Sequence, residues 1–342
     1  MKLAYFEANE EEVRWLKEAA SLGGMEVKTS AEILSSDTVE GEWKDTELLS
    51  VFVESRVDKT VLDKMANLKM IATRSTGFDH IDIEECGRRR IVVANVPSYG
   101  ENTVAEHAFA LILSLSRKIF QAYDRTERLN FNREGLRGFD LQGKTFGVIG
   151  TGRIGQHSIR IGAAFGMKVI GFDAFPNEKM ASELGFTYVK TLDELLEQSD
   201  VITLHLPYMP ETHHIINKDN ITKIKRGAIL VNTARGGLID TEALLMALGE
   251  GILSGAGLDV IEDEDDTFED VAVLSKDFPK DKDIVNILRN HILIARDDVI
   301  ITPHNAFNSI EAVRRIFDTT IGNMAGFVAG EPTNVVGEKK SN

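Results

Sequence analysis

Short apolar runs that alternate with amphipathic stretches are the dominant pattern in the first hundred residues. The strand-like runs are residues 3–6, 48–53, 69–73 and 91–94, and the helix-like stretches are residues 10–20 and 59–65. Because strands that alternate with helices form parallel sheets, this pattern predicts a first α/β domain.

A strongly apolar stretch at residues 103–116 interrupts the alternation and predicts a helix that is buried on most sides. A second alternation follows it. Its strand-like runs are residues 146–149, 168–172, 201–206, 228–231, 255–260 and 299–302, and its first helix is residues 154–165. The last apolar helix, at residues 310–328, comes after this second alternation is complete, so we expect it to return to the first domain. The pattern therefore predicts one discontinuous domain, residues 1–99 and 304–342, and a second domain of residues 100–303.

The charge balance narrows the range of expected partners. The 342 residues include 39 Lys and Arg against 54 Asp and Glu, which gives a formal net charge of −15 at pH 7. This excess of acid repels the phosphates of nucleic acids and the headgroups of anionic lipids. We therefore expect no nucleic acid and no membrane among the partners.

Cysteine content and the N-terminal residues bear on the cellular compartment. Cys86 is the single cysteine, so an internal disulfide and a multi-cysteine metal site are both excluded. Acidic residues at positions 7, 10, 11 and 12 stand where a secretion signal has its apolar core. The longest apolar stretch is far shorter than the roughly 20 residues that span a bilayer. These features predict a cytoplasmic protein without a bound metal.

A glycine-rich segment joins the first strand and the first helix of the second domain. Gly150, Gly152 and Gly155 have the spacing G-x-G-x-x-G, which permits a tight turn, a close approach to a pyrophosphate and close packing of helix on strand. Asp173 ends the next strand, where a carboxylate can accept both ribose hydroxyls, and residues 174–177 include no Arg or Lys for a 2′-phosphate. The segment predicts an NAD site rather than an NADP site. The alternative is that Asp173 only begins a turn.

Two further strand ends carry residues suited to chemistry on a small acid. Arg235 lies between a strand and a helix, where ligands of open α/β sheets bind, and a guanidinium can grip a carboxylate with two hydrogen bonds. His304 follows the last strand of the second domain, and a histidine can donate a proton near neutral pH. Glu262 and Glu264 are equally plausible partners for that imidazole. Such a set suits hydride transfer to a 2-keto acid, which needs a cation for the carboxylate and an oriented general acid.

Four short motifs occur together in this chain. They are residues 150–155 (GTGRIG), 232–236 (NTARG), 257–260 (GLDV) and 302–304 (TPH). On these motifs, and over nearly its whole length, the chain resembles the D-isomer-specific 2-hydroxyacid dehydrogenases. The resemblance implies two Rossmann-like or flavodoxin-like α/β domains with parallel sheets and an active-site cleft between them. The discontinuous domain would bind the substrate, and the second domain would bind NAD and form a homodimer.

The resemblance also implies roles for individual residues. Arg235 would bind the substrate, His304 would donate the proton in reduction, and Glu264 rather than Glu262 would be its partner. The expected cofactor contacts are Gly150, Gly152, Arg153, Ile154, Gly155, Asp173, Leu206, Pro207, Thr212, Thr233, Ala234 and Asp259. The expected substrate contacts are Phe52, Thr76, Gly77, Tyr99, Arg235 and Phe307.

Within the family, the details are most similar to the D-lactate dehydrogenases. Many hydroxypyruvate, glyoxylate and phosphoglycerate members have Pro directly after the catalytic Glu, where this chain has Asp265. Aromatic pocket residues favour a substrate with a small or apolar side chain over one with a phosphate. We therefore expect an oxidoreductase that reduces pyruvate to D-lactate with NADH. The alternatives are a dehydrogenase for phenylpyruvate, 2-ketoisocaproate, hydroxypyruvate or glyoxylate, and an NAD-binding regulatory protein similar to transcriptional corepressors.

Overall fold

The computed structural model describes residues 1–19, 24–39, 41–264 and 284–337, and Asp265 lies outside them. The chain forms two compact units. The first unit comprises Met1–Gly100 and Ser309–Asn342, and the second unit comprises Glu101–Asn308. The division after residue 308 differs from the expected boundary after residue 303. The reason is that the backbone just beyond His304 is bonded to Asp259, at the end of a strand of the second unit.

The elements of the described residues follow the alternation of the sequence. The strands are β1 Lys2–Tyr5, β2 Glu26–Thr29, β3 Leu48–Val51, β4 Met70–Thr73, β5 Val92–Ala94, β6 Thr145–Ile149, β7 Lys168–Phe172, β8 Thr187–Tyr188, β9 Val201–Leu204, β10 Ala228–Asn232, β11 Leu253–Leu258 and β12 Val299–Ile301. The α-helices are α1 Glu10–Glu18, α2 Lys59–Lys64, α3 Ile83–Arg89, α4 Glu101–Ser116, α5 Ile119–Glu127, α6 Arg153–Ala164, α7 Glu178–Leu184, α8 Leu192–Gln198, α9 Thr241–Gly249, α10 Ile284–Ile294 and α11 Ile310–Val328. None of these helices combines the length and the apolar character needed to cross a bilayer.

The first unit is built on a five-stranded parallel sheet in the order β2-β1-β3-β4-β5. Strands β3 and β4 are buried at every residue, as expected for a parallel sheet that is covered on both faces. Helix α11 supplies part of the cover, because Phe317, Ile321 and Met324 pack in one apolar cluster with residues of β1 and β4. The edge strand β2 has no fully buried residue, which is why no apolar run predicted it.

The second unit is built on a seven-stranded parallel sheet in the order β12-β11-β10-β9-β6-β7-β8. The chain starts at β6, adds β7 and β8 on one side, and then continues with β9 on the other side. The strand order therefore reverses between β6 and β9, and ligands of such sheets bind at the carboxyl ends of the strands at that point. The predicted class of two parallel α/β sheets is confirmed.

Helix α4 opens the second unit and packs across its sheet. Nine of its 16 residues are buried, in agreement with the prediction from its apolar sequence. It approaches β11 at two glycines: a Cβ on Gly257 would lie 2.9 Å from the Cβ of Leu111, and a Cβ on Gly255 would lie 3.1 Å from a methyl carbon of Leu115. This close packing brings the polar residues of α4 within reach of the ends of β11 and β12.

Candidate active site

The three glycines that follow β6 meet three different steric demands. Gly150 has a φ of +90°, and a Cβ there would lie 2.5 Å from the carbonyl oxygen of His205. A Cβ on Gly155 would lie 2.1 Å from the carbonyl oxygen of Gly150, so α6 packs on the turn only because residue 155 is glycine. Beside Gly152, no heavy atom of the described residues lies within 4 Å of an added Cβ. The backbone is open there, which fits the approach of a pyrophosphate.

The first turn of α6 fits the same ligand. Its N-cap residue is Gly152, which carries no side chain to accept the first N–H groups of the helix. Arg153 is exposed, 3.6 Å from the carboxylate of Glu101, and Ile154 is half-buried. Open N–H donors at the positive end of a helix dipole favour an anionic group such as a phosphate.

Asp173 follows β7 and lies against the glycine-rich turn. Its Oδ2 accepts hydrogen bonds from the N–H and the hydroxyl of Thr151, at 2.7 and 3.0 Å. Its Oδ1 accepts a hydrogen bond from the N–H of Phe175 at 2.9 Å. The carboxylate therefore begins a local turn and also lies beside the segment that suits a pyrophosphate, so the two sequence interpretations of Asp173 are compatible.

Five more expected cofactor residues lie at the carboxyl edge of the second sheet, after β9 and β10. They are Leu206, Pro207, Thr212, Thr233 and Ala234. The hydroxyl of Thr212 donates to the carbonyl of Pro207 at 2.8 Å and accepts from the N–H of Met209 at 2.8 Å, which fixes this loop. The hydroxyl of Thr233 is buried and has no hydrogen-bond partner within the described residues. Because a buried hydroxyl without a partner is costly, a bound molecule that supplies one fits this position.

Arg235 lies directly after β10 at the carboxyl edge of the second sheet. The side chain of Asn232 brackets this segment: its amide N–H donates to the carbonyl of Arg235 at 2.8 Å, and its oxygen accepts from the N–H of Ala234 at 3.0 Å. One guanidinium N–H donates to the carbonyl of Ala234 at 2.7 Å. The backbone thus holds a half-buried cation where it suits a carboxylate ligand.

His304 and Glu264 form a hydrogen-bonded pair in the second unit. Nδ1 of His304 lies 2.8 Å from Oε1 of Glu264, which leaves Nε2 pointing away from the carboxylate. Glu262, the other sequence candidate, is bonded to Nε2 of His214 at 2.5 Å. The structure therefore places Glu264 beside His304. Phe307 is half-buried and lies three residues further along the same loop.

Asp259 anchors the loop that carries His304. Its side chain is 1% exposed, and it accepts hydrogen bonds from the Thr302 hydroxyl at 2.5 Å and from the N–H groups of the two residues after His304, both at 2.8 Å. Nε2 of His107, on α4, lies 3.3 Å away. Burial raises the pKa of Asp259, but the hydrogen bonds from His107, Thr302 and the backbone outweigh it and hold that pKa below its ordinary value.

Sequence reasoning assigned Asp259 to the cofactor and missed this anchoring arrangement. Both carboxylate oxygens of Asp259 are bonded within the protein, to the His304 loop and to His107 of α4. The available signal was His107, which lies beside Glu106 inside the mostly apolar stretch 103–116.

The turn after β4 in the first unit contains Thr76 and Gly77. The Thr76 hydroxyl donates to the carbonyl of Val96 at 2.8 Å. The backbone carbonyl of Thr76 accepts a hydrogen bond from the side-chain amide of Asn95 at 2.7 Å. The carbonyl of Gly77 accepts from the hydroxyl of Ser75 at 2.6 Å. With its carbonyls occupied in this way, the turn is fixed at the carboxyl end of the first sheet.

Phe52 and Tyr99, the expected aromatic substrate residues of the first unit, are both half-buried. A buried cation that sequence reasoning missed lies near Phe52: the guanidinium carbon of Arg74 is 5.8 Å from the ring centroid of Phe52 and 4.1 Å from that of Tyr5. Arg74 is 2% exposed and forms an ion pair with Glu12 at 3.2 Å. A buried arginine therefore lies behind Phe52, one of the expected substrate residues of the first unit.

His205 follows β9, and its backbone carbonyl packs against Gly150 of the glycine-rich turn. Its Nε2 lies 2.8 Å from the hydroxyl of Ser158 and 3.2 Å from that of Thr203. Its Nδ1 is buried and has no hydrogen-bond partner in the part of the chain that the structure describes. Burial lowers the pKa of His205 to about 3, so the ring is neutral near pH 7 and supports the turn without adding charge.

The second unit thus combines a turn shaped for a dinucleotide, a cation for a carboxylate and a histidine oriented by a glutamate. Among the described residues, no group of three or more metal-binding side chains is clustered. The glycine-rich turn, the cation and the oriented histidine are the features of an NAD-dependent dehydrogenase. A sequence model of the D-isomer specific 2-hydroxyacid dehydrogenase family, NAD binding domain, matches residues 109–306. The chain belongs to the D-isomer-specific 2-hydroxyacid dehydrogenases, and the predictions of family, enzyme class and NAD are confirmed.

Individual relatives match nearly the whole chain. A D-lactate dehydrogenase of Escherichia coli K12 is 36% identical over 97% of this chain and 98% of its own length, and one of Curvularia clavata is 38% identical over 97% and 94%. The crystal structure of the D-lactate dehydrogenase of Aquifex aeolicus with NAD and lactic acid superposes with a TM-score of 0.84, at 38% identity over 99% of this chain and 100% of that one. A D-2-hydroxyisocaproate dehydrogenase structure gives 0.83 at 30% identity, over 99% and 100%.

Proposed function

We propose that this chain interconverts pyruvate and D-lactate with NADH and NAD, and that Arg235, Glu264 and His304 are its catalytic residues. The observation that carries the proposal is the likeness to the Aquifex aeolicus D-lactate dehydrogenase, which extends over 99% of this chain. The pair formed by His304 and Glu264 supports the catalytic assignment, because it presents Nε2 for proton transfer.

In the reductive direction, the guanidinium of Arg235 binds the pyruvate carboxylate, for which the family resemblance also predicts contacts from Thr76 and Gly77. When bound, NADH supplies the hydride that adds to C2. Protonated His304 donates its Nε2 proton to the carbonyl oxygen as charge develops there, which yields the hydroxyl of D-lactate. Glu264 holds the imidazolium in place through Nδ1, and general acid catalysis of this kind contributes roughly 10²- to 10⁴-fold.

The proposed pocket selects for the side chain of the acid. Phe52, Tyr99 and Phe307 are half-buried aromatic residues that suit a methyl group and offer no charge to a phosphate. Steady-state assays of the full chain with NADH test the substrate directly, using pyruvate, phenylpyruvate, 2-ketoisocaproate, hydroxypyruvate and glyoxylate side by side. We expect the highest kcat/KM with pyruvate, and oxidation of D-lactate but not L-lactate. A higher kcat/KM for any other acid would assign that acid as the substrate instead.

The proposed cofactor contacts begin with Asp173, whose carboxylate would accept the ribose hydroxyls. Replacing Asp173 by Ser, with Ala174→Arg beside it, removes the acceptor and adds a cation for a 2′-phosphate. We expect this double substitution to raise kcat/KM with NADPH relative to NADH. An unchanged preference for NADH would contradict the assignment.

We also propose that the chain is a cytoplasmic homodimer, joined through the second unit. Helix α5 and the segment after it expose large apolar side chains: Ile119 at 51%, Phe120 at 57%, Tyr123 at 61%, Leu129 at 84% and Phe131 at 75%. Apolar patches of this kind mark interfaces, and a second copy offers the same patch for self-association. Light scattering during size-exclusion chromatography measures the mass. We expect a dimer for the native chain and a monomer for Phe120→Glu with Phe131→Glu; a monomeric native chain would contradict the proposal.

A further inference from the structure

Glu262 lies two residues before Glu264 in the turn after β11, and it is bonded on both carboxylate oxygens. Oε1 lies 2.5 Å from Nε2 of His214. Oε2 accepts hydrogen bonds from the hydroxyl of Thr241 at 2.6 Å and from its N–H at 3.2 Å. A carboxylate with this many partners is held in a single orientation.

The partners of Glu262 come from two other segments of the second unit. His214 ends the loop that begins at Leu206 and Pro207, and its N–H donates to the carbonyl of Gly237 at 2.9 Å. Thr241 is the first residue of α9, which follows Arg235 after a short turn. A single carboxylate thus joins the segments that carry proposed cofactor, substrate and acid–base residues.

The backbone of the turn after β11 also contacts the backbone beside Arg235. A Cβ on Gly236, next to Arg235, would lie 2.0 Å from the carbonyl oxygen of Ile261, so the two turns touch directly. Asp263, between the two glutamates, has a φ of +50°, which non-glycine residues rarely adopt. Such a conformation persists only where surrounding bonds hold it. The conformation of residue 263 decides where the side chain of Glu264 points.

His214 is itself held firmly. Its φ is +48°, and its ring stacks on that of His213 with centroids 3.8 Å apart. The ring of His213 is fixed in turn by the hydroxyl of Tyr208, 3.0 Å from its Nδ1. His214, at the far end of the Glu262 bond, is thus held by its backbone bond to Gly237 and by the stack on His213.

We propose that Glu262 and His214 are positioning residues that place Glu264 against His304. The inference rests on the proposed catalytic role of Glu264. Loss of the Glu262 carboxylate would free the turn, let Glu264 move away from Nδ1 of His304, and leave the imidazolium less stabilised. The effect would fall mainly on proton transfer, because the hydroxyl of Thr212 still fixes the loop of Leu206 and Pro207.

The test compares Glu262→Ala, Glu262→Gln, Glu264→Gln and the double variant Glu262→Ala with Glu264→Gln in the full chain. For Glu262→Ala we expect kcat for pyruvate reduction to fall roughly tenfold or more, with the alkaline limb of the pH–rate profile displaced to lower pH. The dissociation constant for NADH, measured by fluorescence, should change by less than about threefold. Glu262→Gln keeps an acceptor for Thr241 and should retain more activity than Glu262→Ala, which also guards against a folding defect.

A matched control separates positioning from stability. Asp240 caps the same helix, α9, by accepting from the N–H of Glu242 at 2.9 Å and of Ala243 at 3.2 Å, but it does not contact the turn of Glu264. Asp240→Ala should lower the midpoint of thermal unfolding and leave the pH–rate profile unchanged. The same displacement of the profile in Asp240→Ala would overturn the inference.

The double variant gives the sharpest outcome. If Glu262 acts through Glu264, the double variant should be no slower than Glu264→Gln alone, because the contact that Glu262 positions is already impaired. Losses that multiply would show independent roles and overturn the inference. If Glu264→Gln is impaired but Glu262→Ala is fully active, the positioning role of Glu262 is wrong and the catalytic role of Glu264 still stands. Fully active Glu264→Gln would overturn the proposed catalytic role as well.

Discussion

Two histidine–glutamate pairs among the described residues of the second unit share chemistry and differ in geometry. Both glutamates lie in the turn after β11, and His304 and His214 have the same left-handed φ of +48°. His304 meets Glu264 through Nδ1, whereas His214 meets Glu262 through Nε2. The first arrangement leaves the tip of the ring directed away from the carboxylate, and the second uses the tip in the bond. The same pair can therefore serve as a proton donor or as a tether, according to which nitrogen faces the carboxylate.

Their surroundings reinforce this difference. The two histidines are similarly exposed, at 34% for His304 and 31% for His214, so the difference lies with the glutamates, of which Glu264 is 25% exposed. Glu262 is 15% exposed and has Thr241 as a further partner. A donor must be recharged after each turnover, whereas a tether needs only to stay in place.

The largest expected effect separates the two histidines. His304→Gln removes the proton donor, and we expect kcat for pyruvate reduction to fall by at least about 100-fold. His214→Gln keeps a hydrogen-bonding side chain at the tether, so its kcat should fall far less. Stopped-flow measurement of NADH oxidation at saturating pyruvate compares the two. Equal losses would remove the distinction between donor and tether.

An intermediate loss of activity and stability is expected at Asp259, which anchors the loop of His304 and does not contact His214. Asp259→Asn removes the charge that accepts from Thr302 and the backbone beyond His304, and we expect the free energy of unfolding to fall by about 1–3 kcal/mol. Because the pKa of Asp259 is held below its ordinary value, its stabilising contribution is present above that ordinary value and is lost as the pH falls through the folded-state pKa.

Urea unfolding at several acidic pH values measures this contribution. The native chain should lose stability on acidification more steeply than Asp259→Asn, and kcat of the variant should fall about tenfold because the His304 loop loses its anchor. Parallel acid profiles for the two proteins would show that Asp259 does not stabilise the folded state through its charge.

The smallest effect concerns a third histidine, which has hydroxyl partners in place of a carboxylate. Burial lowers the pKa of His205 to about 3, against an ordinary value near 6.5, so between these values the unfolded chain binds one more proton at this residue than the folded chain does. The free energy of unfolding should therefore decrease as the pH is lowered through this window, by at most about 1.4 kcal/mol per pH unit from His205. Urea midpoints at pH 7 and pH 5 test it. The decrease should be smaller in His205→Gln, and an identical decrease would contradict the assignment.

The sequence predicted well those strands and helices that bury one face or all of their residues. β7 and α11 have the bounds that the apolar pattern predicts, and Ser309 caps the start of α11. β2 was missed, since an edge strand with no buried residue has no apolar run. The short helices α7 and α8 were missed for a related reason, because each buries only one or two residues.

The residues of the candidate site could likewise be predicted only in part. The three glycines and Arg235 could be identified from spacing and position, because the turn after a strand fixes where they lie. Chemistry alone left Glu262 and Glu264 equal and the family resemblance favoured Glu264, while the left-handed φ of Asp263 between them is known only from the structure. The anchoring of the His304 loop by Asp259 brings together residues far apart in sequence, and only the packing of α4 on β11 makes it visible.

The return of α11 to the first unit has a consequence for biosynthesis. Phe317, Ile321 and Met324 complete a core whose other members include Leu3 and Tyr5, near the start of the chain. During translation, the second unit emerges whole while the first sheet still lacks the helix that covers one face. The unit that begins synthesis first is therefore the last to complete its core.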